Sequence, residues 1–177
     1  MNKSILKWEI VGIAFMIVLG GALHFVFDLS GGWRPLAIIA AVNESVWEHL
    51  KLGFWPALIY FLIEYRFVKR HSGNFFFAKA IGILVIPLAI TVLFYAYTAF
   101  TEDMLAIDLT IFVVAIIIGQ FTGYKLLVNG PLPSWLNKLG IILLILLTVA
   151  FSTLTYYAPQ LPIFQDPVSG GFGIQPS

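Results

Sequence analysis

The run Val42-Asn43-Glu44-Ser45-Val46-Trp47-Glu48-His49-Leu50-Lys51 packs two carboxylates, an imidazole and an ammonium into one short stretch. The surrounding chain is oily, with 60% hydrophobic and only 11% charged residues. Soluble domains carry about 25% charged residues, so the composition is that of a membrane protein. Burying a charge in such a chain is costly unless it is paired or used. The cluster is therefore the strongest pointer to chemistry.

Glu48 follows Glu44 by one helical turn and precedes Lys51 by three residues, which predicts a shared helix face. Two carboxylates so placed repel as ions unless a cation or a shared proton relieves them. A salt bridge to Lys51, a divalent metal, or a protonated Glu48 acting as general acid each answers that repulsion. Ser45 and His49 form an i, i+4 pair, the minimum for a base-activated hydroxyl, but no orienting carboxylate accompanies them. His49 fits better as a metal ligand or proton carrier. His24 and Asp28 also lie one turn apart on one face. They read as metal ligands, as an acid-base pair, or, for Asp28, as a solvated residue at a helix end. Asn43 is expected to cap the following helix, with Glu44 in its first turn. Counted from Thr101, Asp108 falls about two turns into a span, roughly 10 Å along its axis. A carboxylate at that depth usually faces the bundle interior. Glu102 and Asp103 read as ordinary acids at a helix start.

Five apolar stretches, each near the about 20 residues a bilayer core requires, must position these groups. They run over about 8–27, 44–67, 75–100, 101–127 and 134–157, with Pro56 and Pro87 inside two of them. The first lacks a small-residue cleavage site and reads as a retained helix. Leu36 to Val42 is too short to cross and is expected to form an interfacial or re-entrant segment. The fold class is therefore all-α: a polytopic membrane bundle over 1–158, followed by a tail or flap over 159–177.

Eight basic residues (Lys3, Lys7, Arg66, Lys69, Arg70, Lys79, Lys125 and Lys138) share one side if the helices alternate, leaving Arg34 and Lys51 opposite. The positive-inside rule then places the N-terminus in the cytoplasm and the tail outside. Asp28, Glu44, Glu48, Glu102, Asp103, Asp108 and Asp166 map to the outer half, with His24 and His49. Glu9 and Glu64 fall near the inner side. A net charge of +1 offers no surface for nucleic acid, and the absence of cysteine excludes disulfides and thiolate sites.

The VNESVWEHLK run at 42–51, the tail Ile163-Phe164-Gln165-Asp166-Pro167 with Gly171-Phe172-Gly173-Ile174, and the setting Leu23-His24-Phe25 resemble an uncharacterised family of small prokaryotic integral membrane proteins. The resemblance implies no reaction. It implies that His24, Glu44, Glu48, His49, Lys51 and Asp166 form one unit.

The resulting expectation is a membrane-embedded, metal-assisted hydrolase or transferase acting on a lipid or lipid-linked substrate at the outer face. Metal ligands are drawn from His24, Asp28, Glu44, Glu48, His49, Asp108 and Asp166, a nitrogen and oxygen set suited to Zn²⁺ or Mn²⁺. Glu48, His49 and Lys51 are the catalytic candidates, with Glu48 as general base and Lys51 or Arg34 on an anionic headgroup. Membrane lipids are the expected surroundings, and protein partners are not indicated. A cation- or proton-coupled transporter or channel is the alternative, and a non-catalytic ligand-binding or scaffold protein the second. Polar groups in the inner half of the bundle would favour a carrier.

Overall fold

A computed structural model describes residues 3–174, so the outermost residues of both expected segments, 1–2 and 175–177, lie outside the described residues. Five α-helices follow one another: α1 (Lys3–Leu29), α2 (Val46–Val68), α3 (Phe75–Thr98), α4 (Leu105–Val128) and α5 (Ser134–Thr153). Among the described residues there is no β-strand, only an isolated bridge between Gln165 and Phe172. The chain is all-helical, as its composition implied. Helices α1, α3, α4 and α5 are long and apolar enough to cross a membrane. α2 falls outside that set, and it is the most enclosed of the five.

The helices alternate in direction. The start of α2, the ends of α1 and α5, and the α3–α4 connection gather at one end of the bundle, here called the rim. At the other end, Trp8 of α1 stacks on Phe67 of α2 at 4.1 Å between ring centroids. α3 and α4 touch through glycines: a Cβ on Gly82 would lie 2.8 Å from the Gly119 carbonyl, and one on Gly119 2.7 Å from the Gly82 carbonyl. Small residues give apolar helices close backbone packing where water supplies no drive between them. Pro56 and Pro87 sit inside continuous helices.

Three expectations change. First, α2 begins at Val46, and Ser45, not Asn43, is its cap; the Ser45 hydroxyl accepts from the Glu48 N–H. Asn43 instead braces the preceding turn. Its side-chain oxygen accepts the Ser45 N–H at 2.9 Å and its amide donates to the Gly173 carbonyl at 2.9 Å. Second, Glu44 is thereby left outside the helix and does not share a face with Glu48. Third, α4 begins at Leu105, so Asp108 lies in its first turn instead of two turns deep. Glu102 and Asp103 belong to the connector, which the Tyr97 hydroxyl holds by accepting the Met104 N–H.

The short apolar stretch after Gly31-Gly32 does not cross. It forms a 3₁₀ turn over Arg34–Ile38 that leads the chain back over the rim, with Ala37 fully buried. The tail is ordered through a further 3₁₀ turn at Pro162–Phe164, and the buried Phe164 ring packs on Trp47 at 4.7 Å.

Candidate functional site

His24 projects from the last turns of α1, His49 from the first turn of α2, and Glu44 from the turn before it. The Glu44 Oε2 atom stands 3.7 Å from His24 Nε2 and 3.5 Å from His49 Nε2, and the two imidazole centroids are 5.2 Å apart. One ligand atom from each residue falls within 4.8 Å of the others. All three side chains are partly exposed, at 31%, 36% and 50% for His24, His49 and Glu44. His49 Nδ1 lies 3.0 Å from the Ser45 carbonyl. Donation there leaves the Nε2 lone pair aimed at Glu44, which is how metal-binding histidines are commonly oriented.

Glu48 and Lys51 point the other way, into the bundle, where both are essentially inaccessible. The Lys51 ammonium donates to Glu48 Oε2 at 2.6 Å, to the Ala37 carbonyl at 2.7 Å and to the Thr155 hydroxyl at 2.8 Å. That hydroxyl donates to Glu48 Oε1 at 2.8 Å, and the Val42 N–H donates to Oε2 at 3.1 Å. All three ammonium protons and both carboxylate oxygens are engaged. The knot ties the re-entrant turn and the chain leaving α5 to the first turn of α2. No capacity remains there for a metal or a substrate proton.

Asp108 accepts a 2.6 Å hydrogen bond from the Tyr97 hydroxyl and lies close enough to His49 for their charges to interact. Asp28 is exposed at the end of α1 and is not one of the three residues whose ligand atoms converge. Asp166 organises the tail. Its carboxylate accepts from the N–H groups of Val168 and Ser169, from the Ser169 hydroxyl at 2.5 Å, and from the Glu44 N–H at 3.4 Å. Burial alone would raise its pKa. The donors outweigh burial, the Ser169 hydroxyl foremost, and hold the carboxyl below the ordinary aspartate value. Asp166 thus sets the backbone from which Glu44 reaches the histidines. Arg34 is exposed on the re-entrant turn, and its carbonyl accepts from the Tyr156 hydroxyl at 2.6 Å.

A second polar cluster, absent from the candidates that the sequence offers, lies at the far end of the bundle. Lys79 of α3 pairs with Glu9 of α1 at 2.6 Å and with Glu64 of α2 at 2.5 Å. Its signal was present: each is a charge set within an apolar helix, a few residues from the same membrane edge. In the sequence Lys79 counts only among the basic residues that orient the chain.

No curated protein and no solved structure matches the chain. One family model does, along nearly its whole length. Over residues 1–174 the chain belongs to a family described as Family of unknown function (DUF6512).

Proposed function

We propose that this membrane protein holds a divalent transition-metal ion on His24, Glu44 and His49 and uses it for hydrolysis or group transfer on a lipid or lipid-linked substrate. The observation that carries the reading is the convergence, within 4.8 Å, of three ligand atoms from separate segments. Two imidazoles and one carboxylate, with further positions open, is the ligand pattern of catalytic zinc. Mn²⁺ is the second candidate by ligand hardness. When bound, such an ion polarises a substrate oxygen and makes a water nucleophilic at neutral pH.

The chain's own groups take the remaining roles. Asp108, oriented by Tyr97 and near His49, replaces Glu48 as the proton acceptor, because Glu48 is fully engaged by Lys51, Thr155 and Val42. Arg34 takes the anionic headgroup, because Lys51 has no free proton to offer. Apolar side chains near the rim, Phe25 on α1 and Leu105 and Leu109 on α4, are exposed and give acyl chains a surface to lie against. The rim faces away from the cytoplasm on the positive-inside argument. Lys3, Lys7, Arg66, Lys69, Arg70, Lys125 and Lys138 carry that orientation, since Lys79 is buried in an ion pair.

Elemental analysis of the purified protein tests the reading. One zinc or manganese per chain is expected in the wild type, with loss in His24→Ala, Glu44→Ala and His49→Ala. A wild type without stoichiometric metal at neutral pH ends it. A second reading, a cation- or proton-coupled carrier, is favoured by the buried acids at the far end of the bundle. Ion flux into proteoliposomes that survives removal of the metal would select it.

A further inference from the structure

Glu9, Glu64 and Lys79 are 2%, 0% and 3% exposed and come from three different helices. Two carboxylates share a single ammonium. Full ionisation would leave one uncompensated negative charge in an apolar interior, which is costly. The neighbouring donors do not relieve it. The Tyr60 hydroxyl of α2 donates to the Trp8 carbonyl at 2.5 Å, and the Gln120 amide of α4 donates to the Glu9 backbone carbonyl at 3.2 Å. α4 also carries Tyr124, one turn beyond Gln120. Gly12 makes the crowding possible, since a Cβ there would fall 2.5 Å from both the Gln120 amide and the Tyr60 ring.

Glu9 Oε2 and Glu64 Oε1 are consequently buried without a donor, while the two carboxyl groups meet on one ammonium, Lys79 Nζ lying 2.6 Å from Glu9 Oε1 and 2.5 Å from Glu64 Oε2. Facing acceptors with no hydrogen between them are repulsive as ions and attractive once a single proton is shared. With that proton, the cluster reduces to one carboxylate and one ammonium, a balanced pair.

We infer that Glu9 and Glu64 together bind one exchangeable proton, making the cluster a proton-binding site inside the membrane. It rests on neither reading of the rim and stands with or without a metal there. Removing either carboxylate by a near-isosteric amide leaves Lys79 with one carboxylate, so the proton is no longer needed.

Infrared spectroscopy of the full chain in lipid nanodiscs reads this directly. At neutral pH the wild type should show the C=O stretch of one protonated carboxyl per chain, shifting in D₂O, and Glu9→Gln and Glu64→Gln should each abolish it. Uniform ¹³C-glutamate labelling of the wild type gives the same assignment if a variant does not insert. Glu44 and Glu102 are exposed and Glu48 is ion-paired, so a buried glutamic acid band belongs to this cluster. Three results would overturn the inference: no such band in the wild type, a band that ignores the label or survives both substitutions, or one that emerges only when Na⁺ is withdrawn. The last would make the site a sodium site.

Discussion

Two polar groups that share one ten-residue stretch face opposite ways and are finished to different degrees. The knot of Glu48, Lys51 and Thr155 is closed: every strong donor and acceptor has a partner, and water is excluded. The site of His24, Glu44 and His49 is open: one carboxylate oxygen is approached at 3.5 and 3.7 Å by two imidazoles, and all three side chains reach solvent. A charge that folding has fully matched holds chain segments together. A set of ligand atoms that converges without matching itself is available for something else. In this motif the most buried and most strongly charged residues are the structural ones, and the half-exposed ones beside them are the candidates for chemistry.

That contrast breaks most visibly at Lys51. Lys51→Met strands Glu48 as an uncompensated buried ion, which should cost about 3–5 kcal/mol. Unfolding by denaturant in detergent measures it. The double change Lys51→Met with Glu48→Leu should recover much of the loss, because an apolar pair of similar volume removes the stranded charge. Equal losses in the single and double variants would show that the pair is not held as ions. Thr155→Val comes next. It deprives Lys51 of an acceptor and Glu48 of a donor together, an expected loss of about 2–4 kcal/mol.

Much of this division was readable in the residues, and the unread part has a physical cause. His24, Glu44 and His49 were all nameable, because imidazoles and acids are rare and costly in an apolar chain. Their grouping was not. Moving the cap from Asn43 to Ser45 shifts the helix start, frees Glu44 from the face of Glu48, and sends the two acids in opposite directions. A capping preference does not separate Asn from Ser across two residues. Asp108 was misplaced for a related reason: Thr101 to Asp103 look like a helix start, yet Tyr97 reaches across and holds them as a connector. Glu9, Glu64 and Lys79 are far apart in sequence, and only the packing of α1, α2 and α3 shows that they meet.

Asp166 stands between the two regions, since it is closed upon itself yet fixes the backbone of Glu44. Its carboxyl is held below the unfolded value of about 3.9. The stabilisation it gives the tail is therefore complete above that value and is lost as pH falls through the lower folded one. Asp166→Asn should loosen the tail by about 1 kcal/mol at neutral pH. Hydrogen exchange at the Val168 and Ser169 amides reads the loosening. Wild type should approach the variant's rates, corrected for intrinsic pH dependence, only below about pH 4.

The smallest expected effect on folding is the most telling. His24→Ala and His49→Ala remove half-exposed rings whose contacts to Glu44 exceed hydrogen-bonding distance. In metal-free protein each should change stability by no more than about 0.5 kcal/mol, as surface substitutions do. Added zinc should then separate the chains. A ligand that binds only the folded state raises stability by about 2.7 kcal/mol at a hundredfold excess over its dissociation constant. Wild type should gain that increment and each alanine variant most of it lose, whereas Asp28→Ala, outside the convergent set, should behave as wild type. If Asp28→Ala abolished the zinc increment while His49→Ala kept it, the ligands would have to be sought along α1 alone, and the open site at the rim would lose its meaning.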